Sequence, residues 1–130
     1  MLKPLARPPE AVIVDRDGAA YAQAFPEAIV LDREDLCLRR GHLRHSFCGA
    51  RLFRIACAIL GEMPARAEVS TASVMQAAGV ERSDDLALHL RQLRRTLRPL
   101  GLGVENVRSG RIVVTEPRPE PGALPAREAA

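Results

Sequence analysis

The chain has 130 residues, of which 47% are apolar and only 3% are aromatic, and its formal net charge is +3. This length accommodates one domain with a modest core, built from Leu, Ile, Val and Ala because Trp is absent. No apolar run approaches the roughly 18 residues of a membrane span, and the start, MLKPLARPPE, lacks the apolar segment of a secretory signal. The composition therefore predicts a globular cytoplasmic protein without a membrane partner.

The cysteines argue against both disulfides and a metal centre. Cys37, Cys48 and Cys57 form an odd set without a CxxC pair, which favours reduced thiols. His42 and His45 would complete the residue types of a tetrahedral zinc site with Cys48 and Cys57. A strand at this point would direct the two histidines to opposite faces, so we expect no metal and no cofactor.

Residues 1–27 are predicted to form a partly ordered N-terminal extension. A short strand is expected at Ala11–Val14, followed by a turn at Asp17–Gly18. The string VIVDRDGA resembles the DxD motif of haloacid-dehalogenase-type phosphatases, with Asp15 and Asp17 as the carboxylates. That chemistry needs a doubly wound sheet, and because no βαβ pattern follows in the sequence we expect only a turn.

From Ala28 the sequence predicts three short strands, in AIVLD, LCLRR and HLRH, which suggest an antiparallel meander. In LCLRR the alternation would place Leu36 and Leu38 on one face and Cys37 and Arg39 on the other.

Two helices are predicted next. FCGARLFRIACAILG has apolar residues at helical spacing and a stop at Gly61. A two-turn helix follows, with Ser70 or Thr71 as its N-cap and Gly79 as its end.

A third, longer helix is expected to begin with Ser83 as N-cap and to run to about Arg98, before Pro99 and Gly101. The next segment, LGVENVRSGRIVVT, predicts a β-hairpin that turns at Ser109–Gly110. Residues 117–130 are rich in Pro, Ala and Glu and are predicted to be a disordered tail.

The third helix has two contrasting faces. At about 100° per residue, one narrow stripe is apolar: Leu86, Leu90, Leu93 and Leu97. The opposite face carries Asp84, Leu88, Arg91, Gln92 and Arg95, with Arg98 close by, and contains no acid from Leu88 onward. Arg and Gln have the forked geometry that hydrogen-bonds guanine and adenine edges, and an exposed Leu suits a thymine methyl group. A solvated basic face remains the alternative interpretation.

The arrangement around this helix favours a nucleic-acid binder. Between Leu86 and Arg111 there are six arginines and one acid, so this segment has a net charge of +5, whereas the whole chain has a net charge of +3. A short helix, a turn and a basic helix make a helix-turn-helix, and the hairpin with Arg108 and Arg111 would add a wing. The predicted fold is thus an α+β winged helix-turn-helix at residues 28–116, with N-terminal antiparallel strands, three helices and a C-terminal hairpin.

In order and spacing, LFRIACAILGEMPARAEVSTASVM and SDDLALHLRQLRRTLRPLGLGVENVRSGRIVV resemble the OmpR/PhoB-type winged-helix effector domains of bacterial response regulators. The resemblance covers roughly residues 28–116. Because residues 1–27 are too short for the receiver domain of the family, we expect a stand-alone member. Ala87 replaces the recognition-helix Asp of the family, and SGRI replaces its aromatic wing motif.

The resemblance implies roles for particular residues. Leu88, Arg91, Gln92 and Arg95 would face the major groove, Arg98 the phosphates, and Arg108 the minor groove. The loop at residues 79–83 would contact RNA polymerase. Independently of the resemblance, a single winged helix binds DNA weakly, so we expect a homodimer or tandem sites about one helical turn apart.

We therefore expect a sequence-specific double-stranded DNA-binding transcriptional regulator of bacterial type. Its DNA-binding residues would be Leu88, Arg91, Gln92, Arg95, Arg98, Arg108 and Arg111. The alternative is a winged-helix adaptor that binds a protein. No nucleophile–base pair or phosphate loop supports an enzyme, so we expect no catalytic residues.

Overall fold

The computed structural model describes Leu5 and residues 7–47, 49–107 and 109–117. Its first part contains β1 (Ala11–Val14), α1 (Gly18–Ala24), β2 (Ile29–Asp32), β3 (Cys37–Arg40) and β4 (Leu43–Ser46). The second part contains α2 (Ala50–Leu60), β5 (Glu68–Ser70), α3 (Thr71–Ala78), α4 (Ser83–Leu97), β6 (Gly103–Val107) and β7 (Arg111–Thr115). A four-stranded mixed sheet and a three-stranded antiparallel sheet confirm the predicted α+β class.

The N-terminal sheet has the strand order β1-β2-β3-β4. The meander formed by β2, β3 and β4 is antiparallel as predicted, whereas β1 lies parallel to β2, with Ala11 opposite Ile29. A parallel neighbour requires a crossover, and α1 supplies it. The prediction that only a turn follows Asp17–Gly18, with no βαβ unit, is therefore wrong. The α1 sequence GAAYAQA buries only Gly18 and Ala22, so it has no periodic large apolar residues to reveal it.

Both faces of this sheet are covered, so every residue of β2 is buried. Ile29 and Leu31 belong to the main core, and Leu38 lies opposite Leu31 on that face. The other face lies under α1, where Cys37 is opposite Asp32, and both are at most 1% exposed. The predicted sharing of a strand face by Leu36 and Leu38 is wrong, because Leu36 lies in the β2–β3 turn with φ of 50°.

The second part has the winged-helix order, in which α2, β5, α3 and α4 precede the β6–β7 hairpin. Its sheet has the order β5-β7-β6, with β5 as a third strand that the sequence did not predict. Ser70 caps α3 by accepting a hydrogen bond from the Ser73 N–H at 3.0 Å, and Gly79 ends this helix at φ 71°. For α4 the predicted cap is wrong by one residue. The extended Arg82 is the N-cap, since its carbonyl accepts from the Asp85 and Leu86 N–H groups.

The N-terminal sheet and the winged-helix elements share one apolar cluster, which runs from Ile29 through α2 to Val114. Arg40 of β3 adds a polar link. Its Nη1 donates to the Leu100 carbonyl at 2.6 Å, and its Nε donates to the Glu27 carbonyl at 3.2 Å. The sheet is thereby attached to the turn that follows α4. Among the described residues, no helix has the length and apolarity needed to cross a membrane.

Candidate nucleic-acid interface

The inner face of α4 fixes the orientation of the helix. Its four leucines, at positions 86, 90, 93 and 97, are each at most 1% exposed and belong to the main core. Full burial of one leucine side chain stabilises the fold by about 1.5–3 kcal/mol, so the stripe leaves α4 little freedom to rotate. The apolar stripe that the sequence predicted is confirmed.

The outer face of α4 is open to solvent. Leu88 is 53% exposed, an unusual position for a leucine, and Arg91, Gln92 and Arg95 are exposed beside it. Within the part of the chain that the structure describes, no ion pair engages Arg91 or Arg95. The structure thus brings four of the seven predicted DNA-binding residues onto one exposed face.

Arg94, on the flank of the same helix, has a different environment. Its Nε donates to the Val104 carbonyl of β6 at 2.8 Å, and its Nη2 lies 3.8 Å from Glu105 Oε1. Glu105 is only 5% exposed, so this contact is largely shielded from solvent. Arg94 therefore connects α4 to the hairpin. The sequence places it about 80° from the leucine stripe but does not reveal its partner on β6.

Arg98 does not share the outer face. It lies in the 3₁₀ turn Arg98–Leu100 after α4, is half-buried, and lines a small cleft together with Gly103 and Glu105. Its guanidinium is thus close to the wing sheet.

The wing places Arg111 at the start of β7, across from Ser70 of β5. Its Nη1 donates to Glu68 Oε1 on β5, and both side chains are about half exposed. Thr71 at the start of α3 also contacts this hairpin, since its N–H donates to the Gly110 carbonyl at 2.8 Å. Arg108, the predicted minor-groove residue, lies outside the described residues.

Residues 79–83, for which the sequence predicted a contact with RNA polymerase, form the α3–α4 loop and the first residue of α4. They are exposed except for Val80, whose side chain is in the core. The ion pair of Arg82 with Asp84, at 3.7 Å, lies at this end of α4.

The described residues contain no group of three His, Cys, Asp or Glu side chains able to hold a metal ion. Cys48, one of the four residues weighed as zinc ligands in the sequence, lies outside the described residues. Comparison of the chain with protein-family models, curated proteins and solved structures found no significant match.

Proposed function

We propose that this chain binds double-stranded DNA sequence-specifically and acts as a transcriptional regulator. One observation carries the proposal: the exposed face of α4 presents Leu88, Arg91, Gln92 and Arg95 on a helix anchored by four buried leucines. From Leu88 to the end of α4 the sequence contains no acid, so this part of the outer face attracts an anion, whereas the exposed Asp84 lies in the first turn of the helix.

The dimensions of α4 suit this role. Its 15 residues span about 22 Å, and the major groove of B-DNA admits an α-helix. Arg91 and Gln92 carry the donors and acceptors that hydrogen-bond purine edges, whereas Leu88 offers an apolar contact to a thymine methyl group. Arg94 holds α4 against the hairpin, so the helix and the wing would meet the DNA as one rigid unit.

The resemblance to OmpR/PhoB-type effector domains supports the finer assignments. In that arrangement the wing would lie at the minor groove through Arg108, and residues 79–83 would contact RNA polymerase. A single winged helix has a small interface, so a homodimer on two half-sites about one helical turn apart would supply the affinity. The protein would then work in the bacterial cytoplasm.

A protein-binding adaptor is the second candidate function. It is favoured by the ion pair that occupies Arg111 and by the half-burial of Arg98, since both arginines were expected to contact DNA. A surface ion pair contributes only about 0–1 kcal/mol, so a DNA phosphate could replace Glu68 as the partner of Arg111. The pairing therefore weakens the DNA proposal only slightly.

A salt titration separates the two functions. Binding to a fluorescent random duplex is measured from low to physiological salt, and a DNA binder loses about 0.9 log units per log unit of salt for each phosphate it neutralises. We expect a steep negative slope. The absence of duplex binding at about 50 mM salt would favour the adaptor.

A comparison of the preferred duplex with a random duplex then tests the sequence specificity of binding. Arg91→Ala should cost about 1–3 kcal/mol on the preferred duplex and much less on a random one, whereas Arg98→Ala should weaken both alike. Arg51→Ala, at an exposed position of α2, is the matched control. Equal losses on both duplexes for Arg91→Ala would contradict a base-contacting role.

A further inference from the structure

A cleft of about 500 Å³ lies on the side of α2 that faces the β2–β3 turn. None of the predicted DNA-binding residues that the structure describes lines it. Its volume falls within the range of small-molecule sites, which is about 300–1,000 Å³. The cleft is open to solvent on one side, so a ligand could enter without unfolding any element.

The floor of the cleft is apolar. Phe53 is 4% exposed, and Leu36 and Cys57 are partly buried against the core. Leu36 has φ of 50°, a left-handed conformation that is unfavourable for a residue with a Cβ. This backbone conformation places a large apolar side chain in the cleft wall, at a turn position where glycine or asparagine would be unstrained.

Two arginines line the same cleft, Arg33 from the β2–β3 turn and Arg54 from α2. Arg33 also forms an exposed ion pair with Asp15 at 3.3 Å, which is weak because both side chains are more than half exposed. No carboxylate is among the described residues that line the cleft. Burial raises the pKa of the Cys57 thiol to about 11, partly offset by the charge of Arg33, so the thiol is neutral at pH 7.

From the apolar floor and the two arginines, we propose that this cleft binds a small organic anion with an apolar body, such as a medium-chain or aryl carboxylate. The apolar body would lie on Phe53 and Leu36, and the carboxylate would receive hydrogen bonds from Arg33 and Arg54. Arginine is suited to this contact because its planar fork can hold a carboxylate through two parallel hydrogen bonds. The proposal does not depend on DNA binding.

The test is a titration of the full chain with octanoate and with its neutral isostere octanamide, followed by calorimetry and by amide NMR shifts. We expect octanoate to bind about tenfold more tightly than octanamide and to shift the signals of Phe53, Cys57 and Ala77. The double variant Arg33→Ala with Arg54→Ala should lose about tenfold in octanoate affinity. Arg51→Ala, on the same helix outside the cleft, should retain it.

A second pair of variants tests whether the anion binds in this cleft. Ala77 is exposed and lines the cleft, so Ala77→Phe should fill the space and abolish binding without disturbing the core. Ala72→Phe, also exposed on α3 but outside the cleft, is its control. The proposal is overturned if neither octanoate nor 4-phenylbutyrate binds, if octanamide binds equally well, or if Ala77→Phe leaves binding unchanged. Each outcome is independent of the duplex measurements, so either proposal can fail alone.

Discussion

Arg94 and Arg95 are adjacent on α4 and lie in opposite environments. The Arg94 Nε donates to the Val104 carbonyl at 2.8 Å, and its Nη2 lies near the buried Glu105, whereas Arg95 is exposed on the outer face. Arg94 thus has a structural role, whereas the neighbouring Arg95 has a proposed role in ligand binding.

These two environments predict that one of two matched variants loses stability, whereas the other loses affinity for DNA. Arg94→Met should lower the free energy of unfolding by about 1–3 kcal/mol, because it removes a hydrogen bond and a positive charge facing a buried carboxylate. Arg95→Met should change it by less than about 0.5 kcal/mol and should instead weaken duplex binding. Urea denaturation and duplex titration measure the two effects. Equal stability for both variants would show that Arg94 does not hold the hairpin.

The ion pair on the α1 face of the N-terminal sheet predicts a pH dependence. Arg39 Nε donates to Asp32 Oδ2 at 2.9 Å, with Asp32 1% exposed. Burial raises the pKa of Asp32, but the hydrogen bonds from Arg39 and from the Asp35 N–H outweigh it, so the pKa lies below its ordinary value of 3.8. A carboxyl group with a lower pKa in the folded state stabilises the protein above the unfolded value and loses this contribution as pH falls through the folded value.

Asp32→Asn should therefore lower the free energy of unfolding at pH 7 by about 1–3 kcal/mol. The Arg39 Nε would then face a neutral acceptor at position 32, while its Nη2 keeps the exposed carboxylate of Asp35. The difference from the wild type should shrink as pH falls through 3.8 and below. The matched control is Asp15→Asn, which removes a carboxylate from an exposed ion pair and should change stability little. Denaturation from pH 7 to pH 3 measures the effect. A difference independent of pH would exclude an ionised Asp32 as its source.

The close contact between α1 and the Asp32 side of the N-terminal sheet explains why the first residue of α1 is a glycine. A Cβ added at Gly18 would clash with Oδ2 of Asp32, so the helix or the carboxylate would have to move. Gly18→Ala should accordingly lower the free energy of unfolding by about 1–3 kcal/mol, despite the higher helix propensity of alanine. Gly49→Ala provides the control, since Gly49 is extended and a Cβ there would meet nothing within 4 Å. Comparable melting temperatures for the two variants would contradict this packing.

The contrast between α4 and α1 shows what the sequence could predict. The α4 leucines repeat at helical spacing, so their burial and the exposure of Arg91 opposite them follow from periodicity alone. By contrast, α1 contacts the sheet through Gly18 and Ala22, and small residues give no periodic signal. Its existence depends on the parallel pairing of β1 with β2, which is a tertiary contact.

The candidate site likewise has features that the sequence could predict and features that it could not. The exposed face of α4 was predictable because it is the complement of the apolar stripe. The pairing of Arg111 with Glu68 was not, because it joins residues 43 positions apart and requires β5, a strand of three residues. The cleft beside α2 was also missed, since it combines a turn, a helix and the end of α3.

The partly buried position of Cys57 predicts the pH dependence of its reaction with an alkylating agent. Its pKa is raised to about 11 by burial, from an ordinary value of 9.0, and only the thiolate reacts with an alkylating agent. Below that pKa the thiolate fraction rises about tenfold per pH unit, so alkylation of Cys57 by iodoacetamide should be slow at pH 7 and still accelerating above pH 9. The alkylation rate of a reference thiol introduced by Ala72→Cys, at an exposed position of α3, should be half-maximal near pH 9. Mass spectrometry of the two peptides measures both rates in one sample, and a half-maximal rate near pH 9 for Cys57 would show that the cleft leaves this thiol in a water-like environment.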